Sequence, residues 1–427
     1  MKVLFLCYYF PPMGMGGTQR AVKFAKYLPE HGWEPVVISV RDVHYYSHDD
    51  TLLDDIAHIP VYRTESLDPL RLFARFRKEV RKNAATSDRK SILVKLNEFI
   101  SGWFFIPDNK LLWLPFAVYQ ALKLIRAERI KVVYTTSPPH SAHLAGLILA
   151  LLARVRWIAD FRDAWTGGES QPSPTLLHST VNRMLEKIVL KRAHHVIGMC
   201  HHLTEALQLN SASPASKFTT IMNGYDAEDF RDVMHGELND TFTITHLGSI
   251  SRVSNPEPFL RSFRMLLDEH PELEGTIQVS FYGIDIFRIL SDSVRKYQLE
   301  HIINPIRYLS HRESLDKMMR SHLLLMTIIK RTGEEIISGK IFEYLGSGKP
   351  VLMVTSDDGY VSKLIGKLGR GTVHRNDDLS DIKNGILKAY EAYRRNKALQ
   401  HDPLSLPQFD RKNLAFELAQ VLNKTVM

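Results

Sequence analysis

The sequence predicts an α/β fold of two domains, each a parallel sheet covered by helices. Short apolar segments of strand length alternate with amphipathic helical patterns from end to end, the order that parallel sheets impose. The chain has 427 residues, too many for one hydrophobic core, since single cores stop growing near about 250–300 residues. A turn cluster of Asn223, Gly224 and Asp226 punctuates the chain after the sixth apolar segment and marks the domain boundary.

In the first half the expected strands are 3–8, 35–40, 132–136, 156–161, 196–199 and 218–222. In the second they are 242–246, 277–282, 303–307, 323–327 and 351–354, with helices at 257–269 and 314–319 among those between them. After the proline-broken stretch 403–407, Leu414, Leu418, Val421 and Leu422 share one helical face, so 411–426 reads as a separate closing helix.

With 44% apolar and 24% charged residues, the composition is globular and excludes disordered, collagen-like and multi-span membrane classes. Cys7 and Cys200 are the two cysteines, too few for a disulfide framework or a Cys-based zinc site, and a reducing cytosol is the expected home. The apolar run at 3–10 meets Pro11, Pro12 and a glycine cluster, which reads as a buried first strand entering a βα turn and not as a secretion signal. The other long apolar stretch, 142–153, falls short of the roughly 18–20 residues that span a bilayer, so no transmembrane helix is expected.

The net charge is +8, and 67–131 alone holds fourteen Lys and Arg against six Asp and Glu, the whole excess. Such a surface suits nucleic acid, anionic lipid or a phosphorylated substrate. Leu70, Phe73, Phe76 and Val80 interleave with the basic residues at helical spacing, and the stretch has no nucleic-acid recognition motif. The expectation is therefore peripheral attachment to an anionic membrane surface, with no nucleic acid partner.

Three groups of residues bear on chemistry. The first βα turn offers Gly14, Gly16 and Gly17 before a helix whose inward face is Ala21, Ala25 and Leu28; glycines there let backbone amides approach a ligand. The dinucleotide fingerprint fails at its third glycine, where Gln19 stands, which argues against a nicotinamide cofactor. A glycine-eased turn with no ligand stays open as the alternative.

The second group, Thr135 to His140 and Asp160 to Trp165, falls at the carboxyl ends of two expected strands, where ligands sit in open parallel sheets. Two plainer readings stay open: a solvated loop His140, and an Asp-to-Arg ion pair within 160–163 that shapes the loop. The doublets His194, His195 and His201, His202 cannot both aim at one metal, so no metal site is expected. The third group is the run from Glu335 to Pro350. Ser338 is expected to cap a short helix with Lys340 in its first turn, so that amide donors, macrodipole and a full charge converge on a diphosphate. A plain amphipathic helix with solvated Lys and Glu is the alternative.

Taken in order, Gly16 and Gly17, Pro107 and Asp108 to Trp113, Ser137 to Pro139, Asp160 to Asp163, Asn223, Gly224 and Asp226, His246 to Ser249, and Glu335 with Glu343 before Gly348, Lys349 and Pro350 resemble the retaining GT-B glycosyltransferases of family 4, of the polysaccharide biosynthesis type. The resemblance covers nearly the whole chain. It implies two Rossmann-like domains facing across a cleft: an N-terminal acceptor domain at 1–225, with the C-terminal helix 405–427 packing back on it, and a nucleotide-sugar donor domain at 226–404.

It also implies roles. Glu335 would hold the transferred sugar and Lys340 the diphosphate, with Asp163 and Arg162 joining them as the catalytic set. Donor binding would fall to Gly16, Gly17, Gly248, Ser249, Arg252, Ser338, Gly339, Ile341 and Glu343, the last taking the ribose, and the acceptor side to Ser137, His140 and Asp160. Two departures stand out. Where many relatives carry an Arg and a Lys after the first glycine of the second domain, this chain has Ser249 and Ser254, leaving Arg252 as the substitute charge; where many carry a histidine beside the reacting sugar, it has Arg162.

The implied reaction moves a hexose from a nucleotide sugar, UDP-linked, to a glycan or lipid-linked acceptor with retention, on the cytoplasmic face of the membrane. No cofactor beyond the co-substrate is expected. No D-x-D occurs in the chain, which agrees with a metal-independent site. Two rival readings are a nucleotide-sugar epimerase of the same architecture and a basic binding protein without catalysis.

Overall fold

The computed structural model describes residues 1–14, 16–41, 48–67, 105–166, 174–234, 236–285, 287–303, 307–329, 337–356, 358–395 and 402–426. Two compact units emerge, Met1–Asn223 with Arg411–Met427, and Gly224–Asp410. The chain passes from one to the other between Asn223 and Gly224. Glu335 and the stripe Leu70, Phe73, Phe76 and Val80 lie outside the described residues.

In the first unit the described strands are β1 (Lys2–Leu6), β2 (Glu34–Val40), β3 (Val61–Thr64), β4 (Val132–Ser137), β5 (Arg156–Phe161), β6 (His195–Gly198) and β7 (Phe218–Thr220). They form one sheet in the order β3-β2-β1-β4-β5-β6-β7, with every pair parallel. Strands buried on both faces favour apolar and β-branched side chains, and β4, with Val132, Val133 and Tyr134 leading into Thr135 and Thr136, is buried at every position. The crossovers use α1 (Gly16–Tyr27), α2 (Leu114–Glu128), α3 (Ser141–Ala153), α4 (Leu176–Arg192) and α5 (His201–Ser211). A side chain at Gly146 would strike the Trp157 ring at 2.3 Å, so glycine lets α3 lie close on β5.

The second unit holds α6 (Ala227–Phe230), β8 (Phe242–Leu247), α7 (Glu257–Glu269), β9 (Ile277–Tyr282), α8 (Ile289–Lys296), α9 (His311–Met319), β10 (Leu323–Ile328), α10 (Lys340–Gly346), β11 (Val351–Thr355), α11 (Tyr360–Leu368), β12 (Gly371–Arg375) and α12 (Leu379–Arg394). Its parallel sheet runs β12-β11-β10-β8-β9. On α7, Phe259, Leu260, Phe263, Leu266 and Leu267 recur on one side and bury against that sheet. Helix α9 starts at a capping box, Ser310 with Glu313.

Edge strands β3 and β12 were not expected from the sequence. Both are short and partly exposed, so neither shows an apolar run. Of the strand expected at 303–307, residues 304–306 lie outside the described ones, and its two ends bridge β9 in parallel, Ile303 to Val279 and Arg307 to Tyr282.

The closing helix α13 (Arg411–Val426) buries Leu414, Leu418, Val421 and Leu422 in the first unit's core, alongside Val22 and Phe24 of α1. At the carboxyl edge of the same sheet lies an ion pair. Arg20 of α1, 1% exposed, donates through Nε (3.0 Å) and Nη2 (2.8 Å) to the fully buried Asp160 of β5. Its remaining donors reach Met222 O at 2.8 Å and Ile221 O at 2.9 Å. Tyr134 and Thr136 donate to Asp160 Oδ2 at 2.6 and 3.0 Å. Burial pushes the Asp160 carboxyl up, but Arg20, Tyr134 and Thr136 outweigh it and hold it below its ordinary value.

Asp160→Asn leaves the Arg20 charge buried without its counter-ion and is expected to cost about 3–5 kcal/mol. Because the folded carboxyl is depressed, its contribution is full above the unfolded carboxylate value of about 3.9 and is lost as pH falls below it. Urea unfolding of both proteins at neutral and acid pH checks this: the gap between them should narrow in acid.

Candidate active site

Each sheet reverses its strand order once, between β1 and β4 in the first unit and between β8 and β10 in the second, and ligands of open α/β sheets bind outside the carboxyl ends of strands at such points. Most of the expected site residues that are described lie near these two reversals.

In the second unit, β8 and β10 pair only at Ile244 with Leu323 and Thr245 with Leu324. Beyond that register the ladder opens, and side chains take up the freed backbone groups. His246 Nδ1 donates to Leu325 O at 3.1 Å, and Tyr344 of α10 accepts from Leu247 N at 2.9 Å while donating to Leu325 O at 3.4 Å. The opening is a pocket of about 250 Å³ lined by His246, Ser249, Ser254, Thr327, Ser338 and Lys340, among others. That is smaller than the roughly 300–1,000 Å³ of drug-sized sites and suits one part of a larger ligand. Burial, with Lys340 adding to it, lowers His246 to about 3, so the ring is neutral and its protonated nitrogen is the one bonded to Leu325.

Backbone closeness sets the position of Lys340. Gly248, at φ +118°, lies beneath its side chain: a Cβ there would come within 2.0 Å of both Cε and Nζ. Gly283, at φ +150°, backs Gly248 in turn, since its Cβ would fall 2.1 Å from Gly248 O. Gly248 N donates to Tyr282 O at 2.6 Å. Burial lowers Lys340 to about 8, with Glu343 opposing the shift. On the same helix, Glu343 Oε1 accepts from His311 Nε2 at 2.9 Å, and His311 Nδ1 lies 3.7 Å from Asp229.

Some expectations change here. Ser338 does not cap α10: Gly339 holds the cap position without a side-chain bond, and the Ser338 carbonyl accepts from Ile341 N at 3.2 Å. The helix has seven residues, so its macrodipole is short and the full charge of Lys340 dominates. Ile341 is fully buried in the core, which leaves only its backbone for a ligand. Arg252 is exposed and is not among the residues lining the pocket; Ser249 and Ser254 are.

At the first unit's reversal, Gly16 and Gly17 open α1. Arg162 donates to the carbonyls of Gly17 and Pro138, and through Nε to Ser137 O at 3.0 Å, so its guanidinium pins the glycine turn to the β4 exit. His140 is not a solvated loop residue: it is 4% exposed and stacks on Trp165 at 5.0 Å and 9°. Burial first, then Arg162, lowers it to about 3. Asp160 pairs with Arg20, not Arg162, and being enclosed has no surface for an acceptor; this overturns its expected place there. Ser137 is also fully buried, while Asp163 is exposed. Sequence reasoning passed over Arg20, Tyr344, Gly283 and His311. Only Gly283, a glycine directly after a strand, left a signal to read.

Residues 15–224 match the family described as glycosyl transferase 4-like domain. No curated protein matches the sequence. Among solved structures, sucrose-phosphate synthase from Thermosynechococcus elongatus is similar at 13% identity and TM-score 0.67, over 99% of this chain and 98% of that one. S. aureus TarM, solved as a mutant in complex with fondaparinux, α-GlcNAc-glycerol and UDP, gives 10% identity and TM-score 0.61 over 99% of both chains. UDP-GlcNAc 2-epimerase from Neisseria meningitidis, bound to UDP-GlcNAc, gives 13% and 0.54, over 99% of this chain and 100% of that one. At these identities the likenesses establish the GT-B fold. Together with the glycosyl transferase 4-like segment they support glycosyl transfer as the activity.

Gly248→Ala is expected to destabilise the second unit by about 1–3 kcal/mol through strain at positive φ, and to expel Lys340 from its place. Gly275→Ala, at φ +82° with nothing within 4 Å, carries the backbone strain alone. Chemical denaturation of both should give the larger loss at Gly248.

Proposed function

We propose that this chain is a retaining, metal-independent hexosyltransferase that moves a sugar from a UDP-linked donor to a hydroxyl of a glycan or lipid-linked acceptor in cell-surface polysaccharide or glycolipid assembly, working peripherally on the cytoplasmic face of the membrane. The observation that carries the reading is Lys340, held across Gly248 at the strand reversal of the second sheet. The difficult step is departure of a nucleoside diphosphate from an oxocarbenium-like centre, so fixed positive charge at the leaving group is the main catalytic contribution. Lys340 supplies it, and Ser249 and Ser338 line the same pocket as neutral donors.

Glu343 takes the ribose hydroxyls, oriented by His311 at 2.9 Å. Glu335 takes the transferred sugar. Gly17 and the Arg162 clamp shape the acceptor-side turn, where His140 is a neutral, stacked wall. Retention proceeds by front-face attack within an ion pair. Two of the similar structures hold UDP or UDP-GlcNAc, which supports a UDP-linked donor. The epimerase among them keeps a second reading alive; incubation with UDP-GlcNAc and no acceptor separates the two, since only an epimerase releases an epimerised sugar nucleotide. Calorimetry of nucleotide sugars with chelator present tests donor and metal independence together.

Glu343→Ala should weaken UDP and the intact donor alike, by about 1–3 kcal/mol for a charge-assisted hydrogen bond, and Lys340→Ala should weaken both and slow turnover. Glu335→Ala should leave UDP affinity intact while turnover drops. Equal loss of bare UDP binding in the two Glu variants would reverse the assignment of ribose and sugar.

Lys340 is charged below its value of about 8 and neutral above it. UDP affinity should therefore hold up to about pH 8 and fall beyond it, and the fall should vanish in Lys340→Ala; titration calorimetry across that range reads both.

A further inference from the structure

A helix that covers a sheet normally carries polar residues opposite its buried face. Helix α4 does not. Its buried positions are Glu186, Val189 and Leu190. On the opposite side Leu177, Val181, Met184 and Ile188 follow one another at steps of four, three and four residues. Leu177, Met184 and Ile188 are 68%, 53% and 38% exposed, and such a stripe lies along one line of a helix surface. Leu151 and Leu152 on α3, the helix packed beside α4, are exposed as well.

Charge flanks the stripe. Lys191 and Lys187 lie on one side of it, with Arg183 further round the helix in the same direction, and Arg192 sits on the other side, all exposed. The one acidic side chain of the helix, Glu186, is turned inward and accepts from Thr166. The outward face is therefore apolar along its centre, and the charged side chains beside it are all basic.

We propose that the outer face of α4 docks this protein on an anionic lipid bilayer, with Leu177, Met184 and Ile188 entering the headgroup boundary and the basic side chains reaching lipid phosphates. Long basic stems lie along apolar surface while their heads stay at the polar boundary, and an apolar stripe rimmed by Lys and Arg is the pattern of interfacial helices. A protein partner would need an acidic group placed against each basic side chain, whereas an anionic bilayer offers negative charge anywhere along its surface. The inference is independent of glycosyl transfer, and its test needs no substrate.

The full chain is sedimented with phosphatidylcholine vesicles and with vesicles that also contain phosphatidylglycerol. Two triple variants accompany it, Leu177→Gln/Met184→Gln/Ile188→Gln and Arg183→Gln/Lys187→Gln/Lys191→Gln. All six positions are exposed, and unchanged melting temperatures verify the fold. The wild-type chain should prefer the anionic vesicles. The charge variant should bind about 100-fold more weakly, from roughly 1 kcal/mol per basic residue near the surface, and the apolar variant at least about tenfold. In Met184→Trp, emission should shift to the blue on anionic vesicles. Equal binding to both vesicle types, wild-type binding by both triple variants, or a wild-type dimer in the ultracentrifuge that the apolar variant dissolves would each overturn the proposal.

Discussion

An arginine cannot shed its proton to escape burial, so enclosing Arg20 obliges the first unit to surround it with acceptors. Asp160 supplies the counter-charge and the carbonyls of Ile221 and Met222 take the remaining donors. Those partners come from β5 and from the segment just after β7, while Tyr134 and Thr136 of β4 complete the carboxylate's shell. One side chain thus indexes α1 against three strand exits. Leaving any of these groups unpaired costs more than the pair itself contributes, so the cluster acts chiefly by excluding other arrangements. Arg162 extends the same logic. It lies two residues beyond Asp160, and its guanidinium spans the glycine turn and the Ser137–Pro138 carbonyls, which fixes the turn that α1 leaves behind.

The second unit solves a similar problem with neutral groups. Where β8 and β10 part, an open ladder would strand Leu247 N–H and Leu325 C=O, and a tyrosine and a histidine absorb them. Both are uncharged, Tyr344 because burial pushes its hydroxyl far up and His246 because burial pulls its ring far down. Their neutrality matters, since any fixed negative charge there would tie up Lys340. At the first unit's reversal the cations Arg20 and Arg162 are consumed by carboxylate and backbone. The Lys340 ammonium has no ion pair or hydrogen bond to another described residue, and it rests on a glycine that offers no side-chain atoms to compete for it.

Much of this was legible in the sequence, and the reason is physical. Doubly buried parallel strands are rich in apolar and β-branched residues, so β1, β4, β8 and β10 declare themselves, as does the turn at Asn223 and Gly224. Edge strands β3 and β12 carry polar residues on exposed positions and gave no such sign. Within the candidate site the motifs singled out Lys340 and Gly248, and these two meet in the fold, the lysine side chain lying across the glycine. The site was not legible where burial decides: nothing in the string Asp160 to Asp163 tells that Asp160 turns inward to a residue 140 positions earlier, or that His140 lies against Trp165. Ser338 misled because a serine before a helix usually caps it, and here the backbone enters the helix one residue later.

The proposed docking helix and the proposed acceptor side are joined by topology. In a parallel sheet every crossover helix begins at the carboxyl edge, where the preceding strand ends, and runs back toward the amino edge. Helix α4 is the crossover from β5 to β6, so its first turn, with the exposed Leu176 and Leu177, stands at the same edge as Arg162, Asp163 and the β4 exit. A bilayer engaged along α4 would therefore lie near the edge where an acceptor is expected. For a lipid-linked acceptor this arrangement converts a search in solution into one along a surface, and effective concentration, not tighter binding, becomes the gain.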